Sequence, residues 1–125
     1  MKLRALLFST FYVTTLLLTS CSKNKDLNVQ VKDSDTEYSF TAQYNRDKTL
    51  AVQQYVNAAL KPNRIFADHQ EKIAKDIRLA DGSVFRLESS PGDFSIEFGK
   101  KDNSDASYEN IRKICSGIKE IVTEK

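Results

Sequence analysis

The side chains best suited to covalent chemistry in this chain are one histidine and two cysteines. A thiol beside an imidazole can act as a nucleophile activated by a base, so Cys115, His69 and the neighbouring Asp68 are the candidates for a thiol enzyme. Cys115, however, falls on the apolar stripe of a predicted helix, where a cysteine usually serves as a small buried residue. The sequence therefore favours a protein without catalytic activity, and a thiol enzyme is the less favoured alternative.

Metal and cofactor chemistry find little support in the residue types. A transition-metal site usually draws several ligands from cysteine and histidine, and this chain has few of either. The acidic residues do not follow EF-hand spacing, and the four glycines are too scattered for a phosphate-binding loop. We therefore expect no metal and no cofactor.

A row of charge is the remaining candidate site within the folded part of the chain. The strand pairing derived below sets Asp76, Arg86 and Glu97 side by side on the sheet face that points away from the core. Such a row could recognise a charged ligand. Its more usual role is a ladder of ion pairs that keeps an exposed sheet face soluble. These three residues are therefore a candidate recognition face.

The N-terminal residues have the pattern of a secretory signal. Lys2 and Arg4 precede an apolar segment that ends near Leu18 and is shorter than the roughly 20 residues needed to span a bilayer. The sequence turns polar immediately after Leu18-Thr19-Ser20-Cys21. We therefore expect residues 1–20 to be a signal peptide that is removed.

This boundary resembles the lipobox of bacterial lipoproteins, in which a branched apolar residue and two small residues precede an acceptor cysteine. The resemblance implies cleavage before Cys21, diacylation of its thiol and often acylation of the new amino group, for example with palmitate. Two or more acyl chains would hold the protein at a membrane, because each buried methylene contributes about 0.8 kcal/mol. By the sorting rules of such lipoproteins, Ser22, Lys23 and Lys25 favour the outer membrane and its periplasmic side. An ordinary secretory signal with a chance cysteine is the alternative.

Composition limits the partners of the processed chain. Loss of Lys2 and Arg4 with the signal lowers Lys plus Arg from 19 to 17, which equals the 17 Asp plus Glu. Without an excess of positive charge, a nucleic acid is not an expected partner. Acylation of Cys21 would leave Cys115 alone, so an intramolecular disulfide is excluded and stability must come from packing.

The first mature residues predict a tether followed by one small domain. Residues 21–36 are polar and favour a lipidated N-terminus and a flexible tether with a reach of roughly 20 Å. Because Leu27, Val29 and Val31 alternate with polar residues, a short edge strand is the alternative. We expect residues 37–125 to form a single domain.

The first half of this domain predicts a strand and a helix. Apolar residues alternate from Tyr38 to Tyr44, as in a half-buried strand. A helix capped by Asn45 or Asp47 then carries apolar residues from Val52 to Leu60 at three- and four-residue steps, and Pro62 ends it. Residues 63–74 have no clear pattern, although Ile65 and Phe66 could anchor a loop.

The next segment predicts a three-stranded meander with a defined register. A three-residue loop of Ala80, Asp81 and Gly82 pairs Ile77 with Phe85 and Asp76 with Arg86, so that apolar residues share one face. A two-residue loop of Pro91 and Gly92 then pairs Leu87 with Ile96 and Arg86 with Glu97. The two loops give consistent faces.

The last segment predicts a helix that starts at Ser104 or Asp105. Its apolar stripe runs from Tyr108 through Cys115 to Val122, and Gly117 indicates a close contact with the sheet. The order strand, helix, three-strand meander, helix predicts an α+β two-layer sandwich, with both helices on one face of an antiparallel sheet.

The residues together favour a lipid-anchored binding or accessory protein of the cell envelope, without catalytic activity. Its partner would be an envelope protein or a wall component that meets the sheet face or residues 63–76. An inhibitor or immunity-type protein of the periplasm is the alternative from a different class.

Overall fold

The computed structural model describes residues 27–67 and 72–124. In these ranges the chain forms five strands and two α-helices, with one-turn 3-10 segments at Arg46–Lys48 and Lys100–Asp102 before the helices. In chain order the elements are β1 (Asn28–Asp33), β2 (Glu37–Gln43), α1 (Thr49–Ala59), β3 (Ile73–Arg78), β4 (Val84–Ser90), β5 (Asp93–Gly99) and α2 (Asp105–Thr123).

The strands form one antiparallel sheet in the order β1-β2-β5-β4-β3, and the helices pack on one of its faces. Alternate residues of β2, β4 and β5 are buried, so each of these strands gives one apolar face to a common core. The core also receives the apolar stripes of both helices. The predicted α+β two-layer fold is confirmed.

The sheet gains its fifth strand from residues that the sequence assigned to a flexible tether. Asn28–Asp33 pair with β2 along their whole length, with Val29 opposite Ala42 and Val31 opposite Phe40. The prediction of a flexible tether over residues 21–36 is therefore wrong for residues 28–33. These residues form the edge strand that was the alternative prediction. Pairing with β2 supplies main-chain hydrogen bonds that a short polar segment cannot satisfy by itself.

The meander has the predicted register. Ile77 lies opposite Phe85, Asp76 opposite Arg86, and Leu87 opposite Ile96. Gly82 and Gly92 take φ values of 94° and 82°, which a residue with a Cβ rarely adopts. Loop length and the burial of one face therefore determine the pairing here.

The N-terminus of α2 is fixed by hydroxyl groups. Ser104 caps the helix, since its Oγ accepts a hydrogen bond from the Ser107 N–H at 3.0 Å. The buried Ser83 donates to Ser107 Oγ at 2.7 Å, which ties the loop before β4 to the same helix end. The predicted cap is confirmed, and it positions α2 across the sheet.

Gly117 marks a helix–helix contact and not the expected helix–sheet contact. A Cβ at this position would lie 2.0 Å from the Oη atom of Tyr55 in α1. The tyrosine ring therefore occupies the space that a side chain on α2 would need. The glycine indicated a close packing contact at residue 117, but the sequence did not identify the element that makes it.

The loop after α1 is organised by one amide side chain. Asn57 Oδ1 accepts hydrogen bonds from the N–H groups of Ile65 at 2.9 Å and Phe66 at 3.0 Å, and Asn57 Nδ2 donates to the Phe66 carbonyl. Both apolar side chains are buried, as expected for loop anchors. The irregular segment thus closes one end of the core.

Candidate functional site

The charged row lies on the sheet face opposite the helices, where the register placed it. Asp76 is opposite Arg86, and Arg86 is opposite Glu97. The Arg86 guanidinium forms ion pairs with Asp76 at 3.3 Å and with Glu88 at 3.2 Å. Within the described ranges Arg86 makes no ion pair with Glu97. Glu88 is thus the partner that the sequence did not assign.

These ion pairs are open to solvent. The side chains of Asp76 and Arg86 are 85% and 42% exposed. Hydrogen bonds to Asp76, and then to Glu88, raise the pKa of Arg86 above its usual value, so its charge persists at every physiological pH. Because water screens such exposed pairs, they contribute little to folding and remain available for contact.

A shallow concavity of about 470 Å³ surrounds the predicted row. Its lining combines acidic and basic side chains with the apolar residues Ile77, Val84 and Phe85. The charged residues among its lining are Asp76, Arg78, Arg86, Glu97 and Asp102. Small-molecule sites are usually deep and mostly apolar. This shallow, charged surface is therefore better suited to a polar partner at least as large as the concavity.

Cys115 lies in the core. Its side chain is 1% exposed. Burial raises the pKa of the Cys115 thiol to about 12, and a hydrogen bond with Tyr38 lowers it by less than burial raises it. The sulfur is therefore a thiol at neutral pH, whereas a nucleophile has to be a thiolate. Asp68 and His69 lie outside the described residues.

Cys21 and the whole predicted signal peptide also lie outside the described residues. In the part of the chain that the structure covers, no helix is long and apolar enough to cross a membrane. The same residues hold no group of three or more histidine, cysteine or acidic side chains that could bind a metal ion.

One polar cluster was not predicted. Asp33, at the end of β1, accepts hydrogen bonds from Lys100 Nζ at 2.7 Å and from the Tyr108 hydroxyl. These two bonds, led by that of Lys100, lower the pKa of Asp33 below its usual value. Lys100 also lies 4.6 Å from the centroid of the Tyr108 ring. The cluster fastens β1 to the end of β5 and to α2. Its members lie far apart in the sequence, so no local pattern predicts that they meet.

A groove was also not predicted. It runs between α2 and the first two strands and encloses about 250 Å³. Its floor is apolar and its helix wall carries two basic side chains. The residues that line it are Val31, Asp33, Tyr38, Phe40, Arg112, Cys115, Ser116 and Lys119. The alternation of apolar and polar residues in β1 indicated the apolar floor of the groove. The helix wall could not be predicted, because it depends on how α2 lies across the sheet.

Comparisons with protein-family models, with curated proteins and with solved structures found no match to this chain.

Proposed function

We propose that this protein is a lipid-anchored binding or accessory protein of the cell envelope, without catalytic activity. Cys21 would carry the acyl chains, and the uncovered sheet face would meet an envelope protein or a wall component. The observation that carries the proposal is that, in residues 27–67 and 72–124, the helices cover one face of the sheet and leave the polar face with the charged row Asp76, Arg86 and Glu97 open.

The location part of the proposal is supported by the resemblance of Leu18-Thr19-Ser20-Cys21 to a lipobox. The residues after Cys21 favour an outer-membrane position facing the periplasm. A tether that ends at β1 would span residues 21–27, shorter than expected, and would hold the domain near the headgroups, roughly 15 Å away. A surface close to the membrane suits contact with other envelope components.

The non-catalytic part of the proposal is supported by the state of Cys115. A buried thiol whose pKa lies near 12 is a poor nucleophile. We expect iodoacetamide to label it slowly in the folded protein and rapidly after denaturation. Rapid labelling of the folded protein at neutral pH would instead favour the thiol enzyme.

The anchor can be tested by mass spectrometry of the N-terminal peptide and by membrane fractionation. We expect a diacylated Cys21, and we expect Cys21→Ala to leave the membrane fraction while the matched control Cys115→Ala stays in it. An unmodified Cys21, or a Cys21→Ala variant that fractionates like the parent, would refute the lipid anchor.

The binding role can be tested by affinity purification from gently solubilised membranes. We expect a partner to be recovered with the parent protein and lost with Arg86→Glu, which reverses the central charge of the row. Lys113→Glu, on the exposed side of α2, is the matched control and should retain the partner. A protein that stays monomeric and partnerless would count against the proposal.

A further inference from the structure

The outer edge of β1 presents free main-chain groups. The Ser34 N–H donates to the Glu37 carbonyl at 2.9 Å, so these two residues form a hydrogen-bonded pair. Hydrogen-bonded and non-bonded pairs alternate in an antiparallel ladder, which turns the N–H and C=O groups of Val29, Val31 and Asp33 away from β2. In residues 27–67 and 72–124 no strand pairs with this edge.

The helix side of the same edge is apolar. Val29 is partly buried against the core, and Val31 is 53% exposed at the mouth of the groove under α2. Tyr38 and Phe40 continue the apolar floor inward from Val31. The 250 Å³ of the groove is enough for about one or two apolar side chains but not for a large ligand.

The groove wall is basic. Arg112 and Lys119 are seven residues apart on α2 and both line the groove. Arg112 pairs with Glu109 along the helix, and among the described residues Lys119 has no ion-pair partner. Asp33, the one acid among the described residues that line the groove, is already bonded to Lys100 and Tyr108. The charge that would complement this wall is therefore negative.

We propose that β1 and the groove bind an extended, acidic segment of a partner protein, which adds to the sheet as a sixth strand. Main-chain groups of the segment would pair with those of Val29 and Val31. Its side chains on the helix side would alternate along the strand, placing an apolar residue over Val31 and acidic residues within reach of Arg112 and Lys119. This surface differs from the charged row and does not depend on acylation of Cys21.

The probe is a capped peptide with the sequence Thr-Asp-Thr-Val-Thr-Asp-Thr, titrated into the ¹⁵N-labelled protein and followed by NMR. We expect the largest shifts, and slower amide exchange, at Val29, Val31 and Asp33, with further shifts at Arg112 and Lys119. A peptide in which both aspartates are lysines should bind at least about tenfold more weakly, because its charge then opposes the groove wall.

Two variants separate main-chain pairing from charge. Val31→Pro removes an N–H that points away from β2, so the β1–β2 ladder is kept while the peptide loses a donor. Val31→Pro should therefore weaken peptide binding about tenfold. Lys119→Glu should weaken it by a similar factor, because it reverses a charge on the groove wall. Lys113→Glu, on the exposed side of α2, should bind like the parent and is the matched control. Retained β1–β2 cross-strand contacts in the NMR spectra show that each variant is folded.

Several results would overturn the proposal. The peptide could fail to shift the β1 amides at millimolar concentration, or Val31→Pro could bind it as the parent does. Sedimentation could show that β1 pairs with a second copy of this chain. Vesicles of phosphatidylglycerol could occupy the groove and exclude the peptide, which would make the site a lipid contact.

Discussion

The two edges of the sheet carry different side chains on the helix side. On β3 the helix-side residues are Ile73, Lys75 and Ile77, so an exposed lysine stands in the middle of the apolar stripe. On β1 the middle position is the half-exposed Val31, and no charge interrupts the stripe before Asp33. An inward-facing charge is a common device for preventing strand addition. The contrast therefore favours β3 as the protected edge and β1 as the edge that the proposed partner segment would use.

The two edges are also held differently. Ile77 of β3 is buried, so that edge is fixed by packing. The end of β1 is fixed by the hydrogen bonds of Asp33 to Lys100 and Tyr108. A strand that is anchored by polar groups at one end can remain in place while its apolar residue stays exposed. This arrangement leaves Val31 exposed on β1, as the proposed addition of a partner strand requires.

The largest expected effect is a difference in stability between variants that truncate a side chain on β3 and on β1. Ile77→Ala removes buried methyl groups and should lower the free energy of unfolding by roughly 2 to 4 kcal/mol. Val31→Ala acts on a half-exposed side chain and should cost about 0.5 kcal/mol or less. Urea denaturation of both variants measures the difference. Equal losses would show that β1 is packed as tightly as β3.

The next effect concerns protection against self-association. Lys75→Val would make the helix-side stripe of β3 wholly apolar, and we expect its dimerisation constant to tighten about tenfold, or about 1.4 kcal/mol. Val31→Lys should give β1 the protection that β3 has now. Sedimentation velocity measures both, with Lys113→Val on α2 as a control for added hydrophobicity. If Lys75→Val behaves like that control, Lys75 does not protect the edge.

A smaller effect concerns the pH dependence of β1. The bonds from Lys100 and Tyr108 lower the pKa of Asp33 below its ordinary 3.8, so the folded state favours the carboxylate. The resulting stabilisation is fully present above that ordinary value and is lost as the pH falls through the lowered pKa. Hydrogen exchange, corrected for its intrinsic pH dependence, should show the β1 amides opening first in acid.

Asp33→Asn provides the control for this pH dependence. The variant should open β1 more readily at neutral pH and should lose most of the added opening in acid, while the β3 amides stay as in the parent. A variant whose β1 amides follow the parent at every pH would show that Asp33 does not anchor the strand.

The smallest effect is expected at the charged row. Asp76→Asn and Arg86→Gln remove exposed charges, so neither should shift the urea midpoint beyond experimental error. The same variants should affect partner recovery if the row is a recognition face. A clear loss of stability would show that the row serves folding instead.

The sequence predicted the meander well because its constraints are local. Two loop lengths, one buried face and the glycines at positions 82 and 92 are enough to determine the register of β3, β4 and β5. The charged row followed from that register. Its ion pair with Glu88 did not, because a side-chain rotamer and not the strand pairing determines which acid Arg86 reaches.

The remaining features depend on contacts between distant residues. β1 is held in part by hydrogen bonds from Lys100 and Tyr108. The loop after α1 is held by hydrogen bonds to the Asn57 amide, which no local sequence pattern reveals. The partner of Gly117 is Tyr55, on the other helix. The groove exists only once α2 lies beside β1, so periodicity could not have found it.

Site-specific cross-linking in living cells tests the central claim most directly. A photoreactive amino acid replaces Val31 on one edge or Lys75 on the other, two exposed positions on the helix side of the sheet. We predict one discrete cross-linked partner from position 31, lost when Lys119→Glu is added, and none from position 75. Equal cross-linking from both edges, or none from position 31, would contradict the proposed addition of a partner segment to β1.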